Sequence, residues 1–144
     1  MTTGAVVTAD RADIFSPTAR GLIEALNAEL SSRYPEDGAT HFRLDPEEVA
    51  PGRGTFLVAV REGRPLGCGA VRRIEAGVGE VKRMYVAPEA RGAGIGRAVL
   101  QALEAEARAL GCARLVLETG VRQPEAIALY ERASVCMAKD LEGR

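Results

Sequence analysis

Gly92, Gly94 and Gly96 fall within five residues, between Arg91 and Arg97. Glycines so spaced allow positive φ and leave backbone N–H groups uncovered. They also open a helix. Ile95, Val99, Leu100, Leu103, Ala107 and Leu110 recur at helical spacing and form one apolar stripe. A helix start carries unpaired N–H groups and a partial positive charge. The run Arg91-Gly92-Ala93-Gly94-Ile95-Gly96-Arg97 therefore suits an anionic group, most naturally phosphate or pyrophosphate. Two phosphate motifs do not fit it. A P-loop requires Lys-Ser or Lys-Thr after the last glycine, where Arg97-Ala98 stands. A dinucleotide fingerprint requires glycine or alanine where Arg97 or Val99 falls.

The elements that hold this loop follow from the rest of the pattern. Ala5 to Ala9 reads as a first strand. Ser16-Pro17 reads as an N-cap and first helical residue, and Leu22, Ile23, Leu26 and Leu30 extend a helix over Pro17 to Ser31. Ser32 to Gly54 is a long polar loop, in which Asp45-Pro46-Glu47-Glu48 caps a short helical turn. A loop of that length in a compact domain is usually functional. Three strands follow: Thr55 to Arg61, Leu66 to Ile74, and Glu80 to Val86. The first two form a hairpin around Glu62-Gly63-Arg64-Pro65. Gly67 and Gly69 inside a strand predict a bulge or a close backbone approach. The loop and its helix come next, with Gly111 as C-cap. A strand over Ala113 to Thr119, a helix from Pro124 bearing Ala126, Ile127, Leu129 and Tyr130, and a short strand over Val135 to Ala138 complete the reading. Consecutive strands followed by strand–helix–strand–helix imply a mixed sheet with helices on its faces, the strands on either side of the Gly92–Gly96 helix being parallel.

The chain has 144 residues, 47% apolar and 27% charged, as expected of one globular domain over 1–144. A net charge of −1 gives no electrostatic case for nucleic acid or an anionic membrane. Met1 to Asp10 lacks a signal-peptide pattern, and no apolar run approaches the ~20 residues of a spanning helix. Cys68, Cys112 and Cys136 lack metal-site spacing, and His41 is the one histidine. The expectation is three reduced core thiols, a cytoplasmic protein and no metal.

Arg91-Gly92-Ala93-Gly94-Ile95-Gly96 resembles the Q/R-x-x-G-x-G/A acyl-CoA signature of the GNAT superfamily of N-acetyltransferases. The likeness takes in Glu80-Val81-Lys82-Arg83-Met84-Tyr85-Val86, Ala87-Pro88-Glu89-Ala90, Leu115-Val116-Leu117-Glu118-Thr119 and Ala126 to Arg132, in the family's order. It implies an α/β (α+β) fold with a mixed, mostly antiparallel central sheet, a splayed parallel pair and flanking helices. Its CoA-binding core spans about residues 80–132. Acetyl-CoA would lie between the strands ending at Val86 and Thr119. The pantetheine would pair with the backbone of Met84, Tyr85 and Val86, and the pyrophosphate would sit on the amides of Gly92 to Arg97.

Acyl transfer from a thioester to an amine needs a base for the amine, a donor for the oxyanion and an acid for the thiolate. Glu80 starts the central strand, as a catalytic glutamate does in some members, and is the expected base. By alternation it shares a face with Lys82, Met84 and Val86. The resemblance implies Tyr130 as the acid near the CoA sulfur and a backbone N–H at Met84 or Tyr85 as the oxyanion donor. Glu118 and Thr119 would face substrate or pantetheine. Arg72, Arg73, Lys82 and Arg83 are candidates for a substrate carboxylate. His41 is a candidate substrate-side residue or alternate base. One departure stands out. The family pattern ends in a loop and two closing strands, whereas here Ala133 runs straight into Ser134 to Lys139, which implies a missing segment at that junction.

The function expected is acetyl transfer from acetyl-CoA to a primary amine of a small molecule, an amino acid or related metabolite, by direct attack in a ternary complex. The alternatives are a protein N-terminal or lysine acetyltransferase and a non-catalytic CoA-binding sensor. A homodimer is plausible by resemblance.

Overall fold

A computed structural model describes residues 6–33 and 44–117. These build a five-stranded sheet in the order β1-β2-β3-β4-β5: β1 (Val7–Arg11), β2 (Gly54–Arg61), β3 (Arg64–Glu75), β4 (Val78–Val86) and β5 (Arg114–Leu117). The first three pairings are antiparallel and β4–β5 is parallel, as the crossover required. Helix α1 (Pro17–Arg33) covers one face and α2 (Ile95–Ala109) the other. The strands are longer than the apolar pattern predicts because both hairpin turns contract to two residues. Arg61 pairs with Arg64 and Glu75 with Val78. Glu62 and Gly63 both take positive φ, 55° and 77°, which matches the twist of a tight hairpin.

Each helix follows from its caps and stripe. Ser16 Oγ accepts the Ala19 N–H at 3.2 Å and opens α1. Its buried residues, Ala19, Leu22, Leu26 and Leu30, pack on Phe56, Val58, Cys68, Ala70 and Tyr85. On the opposite face α2 buries Ile95, Val99, Leu100, Leu103 and Ala107 against Leu57, Ala59, Leu66, Val71 and Val81. Its end is a Schellman motif. Gly111 at φ 85° donates to the Arg108 carbonyl, and Cys112 donates to that of Ala107, both at 2.9 Å.

β4 carries the feature that shapes the site. Cys68 pairs with Tyr85, but Ala70 pairs with Lys82, so Arg83 and Met84 together oppose Gly69. This is a β-bulge, with Arg83 at φ 59°. The glycine signal in β3 is accounted for by it. A Cβ on Gly69 would lie 2.8 Å from Met84 Sδ and Val99 Cγ1, and one on Gly67 2.9 Å from the Tyr85 carbonyl oxygen.

The bulge also corrects the expected strand face. One extra residue reverses the alternation. Val81 packs on the α2 face, and Glu80 and Lys82 point to the other. After Arg83 the phase changes, so Met84 and Val86 lie on the α2 face and Tyr85 on the α1 face. Glu80 keeps Lys82 as a neighbour and loses Met84 and Val86.

Pairing between β4 and β5 covers Val78–Val81 against Arg114–Leu117. Among the described residues β4 then continues to Val86 with a partner on the β3 side only. That edge is roughly 16 Å long, at about 3.3 Å per residue.

Candidate active site

The end of β4 beyond its described pairing with β5 runs directly into the glycine loop. After β4, a 3₁₀ turn over Pro88–Ala90 redirects the chain, and Gly92 and Gly94 adopt φ 86° and 85°. A Cβ on either glycine would meet no atom within 4 Å, so both face open space. The first bond of α2 runs from the Ala98 N–H to the Gly94 carbonyl at 3.1 Å. The amides of Ile95, Gly96 and Arg97 precede it and have no helical carbonyl behind them. The loop thus has the backbone form expected of a glycine-rich helix start, with its first amides and Ala93, Gly94 and Arg97 at the surface.

The edge offers a second set of backbone groups. The Ala87 N–H donates to the Leu66 carbonyl at 2.8 Å. Strand alternation then turns the amide and carbonyl of the next residue back, Val86, away from β3 and toward the open side. Tyr85 pairs toward Cys68. Of the three residues expected to meet an extended ligand, Val86 has the clearest outward orientation and Tyr85 faces β3.

Arg91 is placed differently from its neighbours. Its Nε donates to the Val86 carbonyl at 3.0 Å, and its Nη2 meets Glu29 Oε1 of α1 at 2.6 Å. Its guanidinium also lies 6.0 Å from the centre of the Tyr85 ring. Burial raises the pKa of the Tyr85 phenol, with the Glu29 carboxylate adding to the rise and Arg91 opposing it.

Glu80 lies in a chain of alternating charges. Arg72 Nε is 2.9 Å from Glu80 Oε1, and Arg72 Nη1 is 2.8 Å from Glu48 Oε2. Lys82 Nζ reaches Glu48 Oε1 at 3.4 Å. Glu48 comes from the 3₁₀ turn Pro46–Val49, where the Asp45 N–H also donates to its Oε1 at 3.1 Å. These side chains are well covered, Lys82 at 7% and Glu48 at 17% exposure. Glu80 is thus tied through Arg72 of β3 to Glu48 of the Pro46–Val49 turn, which in turn meets Lys82 of β4.

The four cations expected near a substrate carboxylate do not form one patch. Arg72 and Lys82 join the network around Glu48. Arg83 donates to Asn27 Oδ1 of α1. Arg73 is on the other face, with Nη1 3.4 Å from the Leu110 carbonyl. Glu118, Thr119, Tyr130 and His41 lie outside the described residues, as do Cys136 and the Ala133–Ser134 junction.

Glu48, Glu29 and Asn27 escaped the sequence reading. For Glu48 a signal existed, the capping box formed with Asp45, but it indicated only a helix start. Glu29 and Asn27 face inward on α1 with no local signal of their partners, more than 50 residues away in sequence.

The donor set fits an acyl-CoA. Bare helix-start amides suit a pyrophosphate, and outward main-chain groups such as those of Val86 suit an extended, amide-bearing arm.

Comparisons with known proteins agree. Residues 19–134 match the Acetyltransferase (GNAT) family. An IAA acetyltransferase of Azospirillum brasilense is 45% identical over 112 residues, covering 77% of this chain and 72% of that protein. A solved structure from Klebsiella pneumoniae, described as an acyl-CoA N-acyltransferase, superposes with a TM-score of 0.74 at 36% identity, over 88% of this chain and 81% of that one. A GNAT family acetyltransferase from Elizabethkingia anophelis, solved with acetyl-CoA bound, shares the fold at a TM-score of 0.62 and 20% identity, over 88% of this chain and 73% of that one.

Proposed function

The chain belongs to the GNAT family of acetyltransferases, and on that premise we propose that it moves an acetyl group from acetyl-CoA to the primary amine of a small molecule, an amino acid or related metabolite, by direct attack in a ternary complex. The observation that carries this reading is the end of β4, beyond its described pairing with β5, where the Val86 main-chain groups turn from β3 and the strand leads into the amides of Gly92–Arg97. When bound there, acetyl-CoA supplies the activated thioester carbonyl.

The chain's own groups then have distinct tasks. The glycine-loop amides and the α2 dipole hold phosphate oxygens. The Val86 N–H aligns the pantetheine, its carbonyl being held by Arg91, and the bulge amide of Met84 is the candidate oxyanion donor, since Tyr85 pairs with β3. Glu80, held at Oε1 by Arg72, offers Oε2 to the amine proton, directly or through one water. The amine lone pair forms the C–N bond as the C–S bond breaks. Tyr130, the acid expected from the family pattern, would give its proton to the leaving sulfur. Buried, unbridged thiols at Cys68 and Cys112 suit a cytoplasmic setting.

A thiol-release assay over a panel of primary amines, with IAA as a separate arm, tests the reading. Glu80→Gln should lower kcat by about 10²–10⁴-fold. Calorimetric CoA affinity should stay at the wild-type value. Turnover confined to peptides with a free N-terminus or lysine would replace the small-molecule acceptor by a protein one.

A further inference from the structure

Arg91 heads the glycine loop, where a cation would ordinarily be assigned to the phosphates. Its side chain is engaged elsewhere. Nε is 3.0 Å from the Val86 carbonyl, Nη2 is 2.6 Å from Glu29, and the guanidinium lies by the Tyr85 ring. The Glu29 pair is partly covered, at 32% and 25% exposure. We infer that Arg91 is a positioning residue, a brace that fixes the anion loop to the end of β4 and to α1, rather than a ligand of the phosphates. The inference rests on the proposed CoA site.

Three features favour the brace. The carbonyl it holds belongs to the last residue of the open edge, so one bond sets the distance between the edge and the loop. Such a spacing must match the span from pantetheine amide to pyrophosphate, because a misplaced amide loses much of its hydrogen bond. The second contact reaches α1, which is also linked to β4 by the bond from Arg83 to Asn27. The anion loop and the helix over the Glu80 face are thereby joined through one side chain. Lastly, turning Arg91 toward a phosphate would leave the Glu29 carboxylate without this partner and break a charge-assisted bond.

The two roles demand different chemistry of the side chain. In glutamine the amide nitrogen is the same number of bonds from Cα as Nε of arginine. Arg91→Gln therefore keeps the donor to Val86 and discards the charge. Arg91→Lys keeps the charge and replaces Nε by carbon. Arg91→Met keeps neither.

Calorimetric titration of CoA into these variants at low and high salt is the test. The brace predicts that Arg91→Gln binds within about threefold of wild type with unchanged salt dependence, and that Arg91→Met binds about tenfold or more weakly, the size of a lost bond to a charged donor. Arg91→Lys matching wild type while Arg91→Gln falls to the level of Arg91→Met would make Arg91 a phosphate ligand and overturn the inference. If wild-type protein does not bind CoA, the proposed cofactor fails and the brace is judged by unfolding. Arg91→Met and Glu29→Gln should then be non-additive in a double-mutant cycle, and additivity would refute it.

Discussion

Arg72 Nε stands 2.9 Å from Glu80 Oε1 across the β3–β4 ladder, where the two residues are register partners. The same guanidinium holds Glu48 at 2.8 Å, so one cation on β3 serves two carboxylates. Arg72→Met would leave Glu80 without its cation and Glu48 with Lys82 alone. The expected loss is about 1–3 kcal/mol, less than for a fully buried pair because Arg72 is one-third exposed. Urea unfolding measures it. A change below the scatter of the extrapolation would show that the pairs are solvated.

Gly94 and Gly63 make a matched pair. Both have positive φ, 85° and 77°, and neither has an atom within 4 Å of an added Cβ. Alanine at either should cost about 1 kcal/mol through the left-handed backbone alone. Of the two, Gly94 borders the proposed anion seat. Gly94→Ala should also weaken CoA about tenfold or more, whether by its methyl group or by a relaxed φ that turns the amides. Gly63→Ala should leave CoA affinity unchanged. Equal affinities in thermal-shift or calorimetric titrations would remove the anion from this loop.

The glycines and apolar stripes were readable from sequence because each acts over a few residues. Gly67 and Gly69 announced a close approach, and the stripe from Ile95 to Leu110 announced α2. The phase of β4 was not readable, since alternation presumes an unbroken ladder and nothing around Arg83 marks an inserted residue. Arg83 is an unfavourable residue for φ 59°, and it is retained there by a tertiary bond to Asn27. The Glu48–Arg72–Glu80 chain was half visible. Glu80 and Arg72 lay on strands already paired, while Glu48 sat in a polar loop whose fold-back cannot be inferred from its own residues.

Gly54 shows how that fold-back is held. A Cβ there would lie 2.2 Å from the Glu48 carbonyl and 2.5 Å from that of Val71, both backbone atoms. Gly54→Ala must displace the 3₁₀ turn that carries Glu48. The expected cost is about 3 kcal/mol or more. In folded protein kcat should fall further than KM for acetyl-CoA rises, because the turn contacts the Glu80 side and leaves the anion loop alone. A proportionate change in both would contradict this.

Burial pushes the Cys68 thiol from 9.0 to about 12, with Arg83 opposing the rise. Below 9.0 both folded and unfolded chains keep the proton, and the thiol's contribution is fully present. Above it the unfolded chain ionises while the folded one resists. Stability should then fall by up to about 1.4 kcal/mol per pH unit until the folded thiol titrates. The raised Tyr85 phenol acts in the same direction at its own higher range. Unfolding measured at successive alkaline pH values should steepen near pH 9, and Cys68→Ala should flatten the onset. Parallel wild-type and variant curves would assign the slope to other groups.

The extra residue at Arg83 divides β4 into two segments that can change separately. Before it, side chains at 80 and 82 carry charge on the α1 face. Beyond it, outward main-chain groups meet the edge while Met84 and Val86 are anchored under α2. Substitutions in the first segment can therefore change the charged face while leaving the main-chain geometry of the second in place. A single insertion gives this strand the independence of two parts, one that varies through its side chains and one that acts through its backbone.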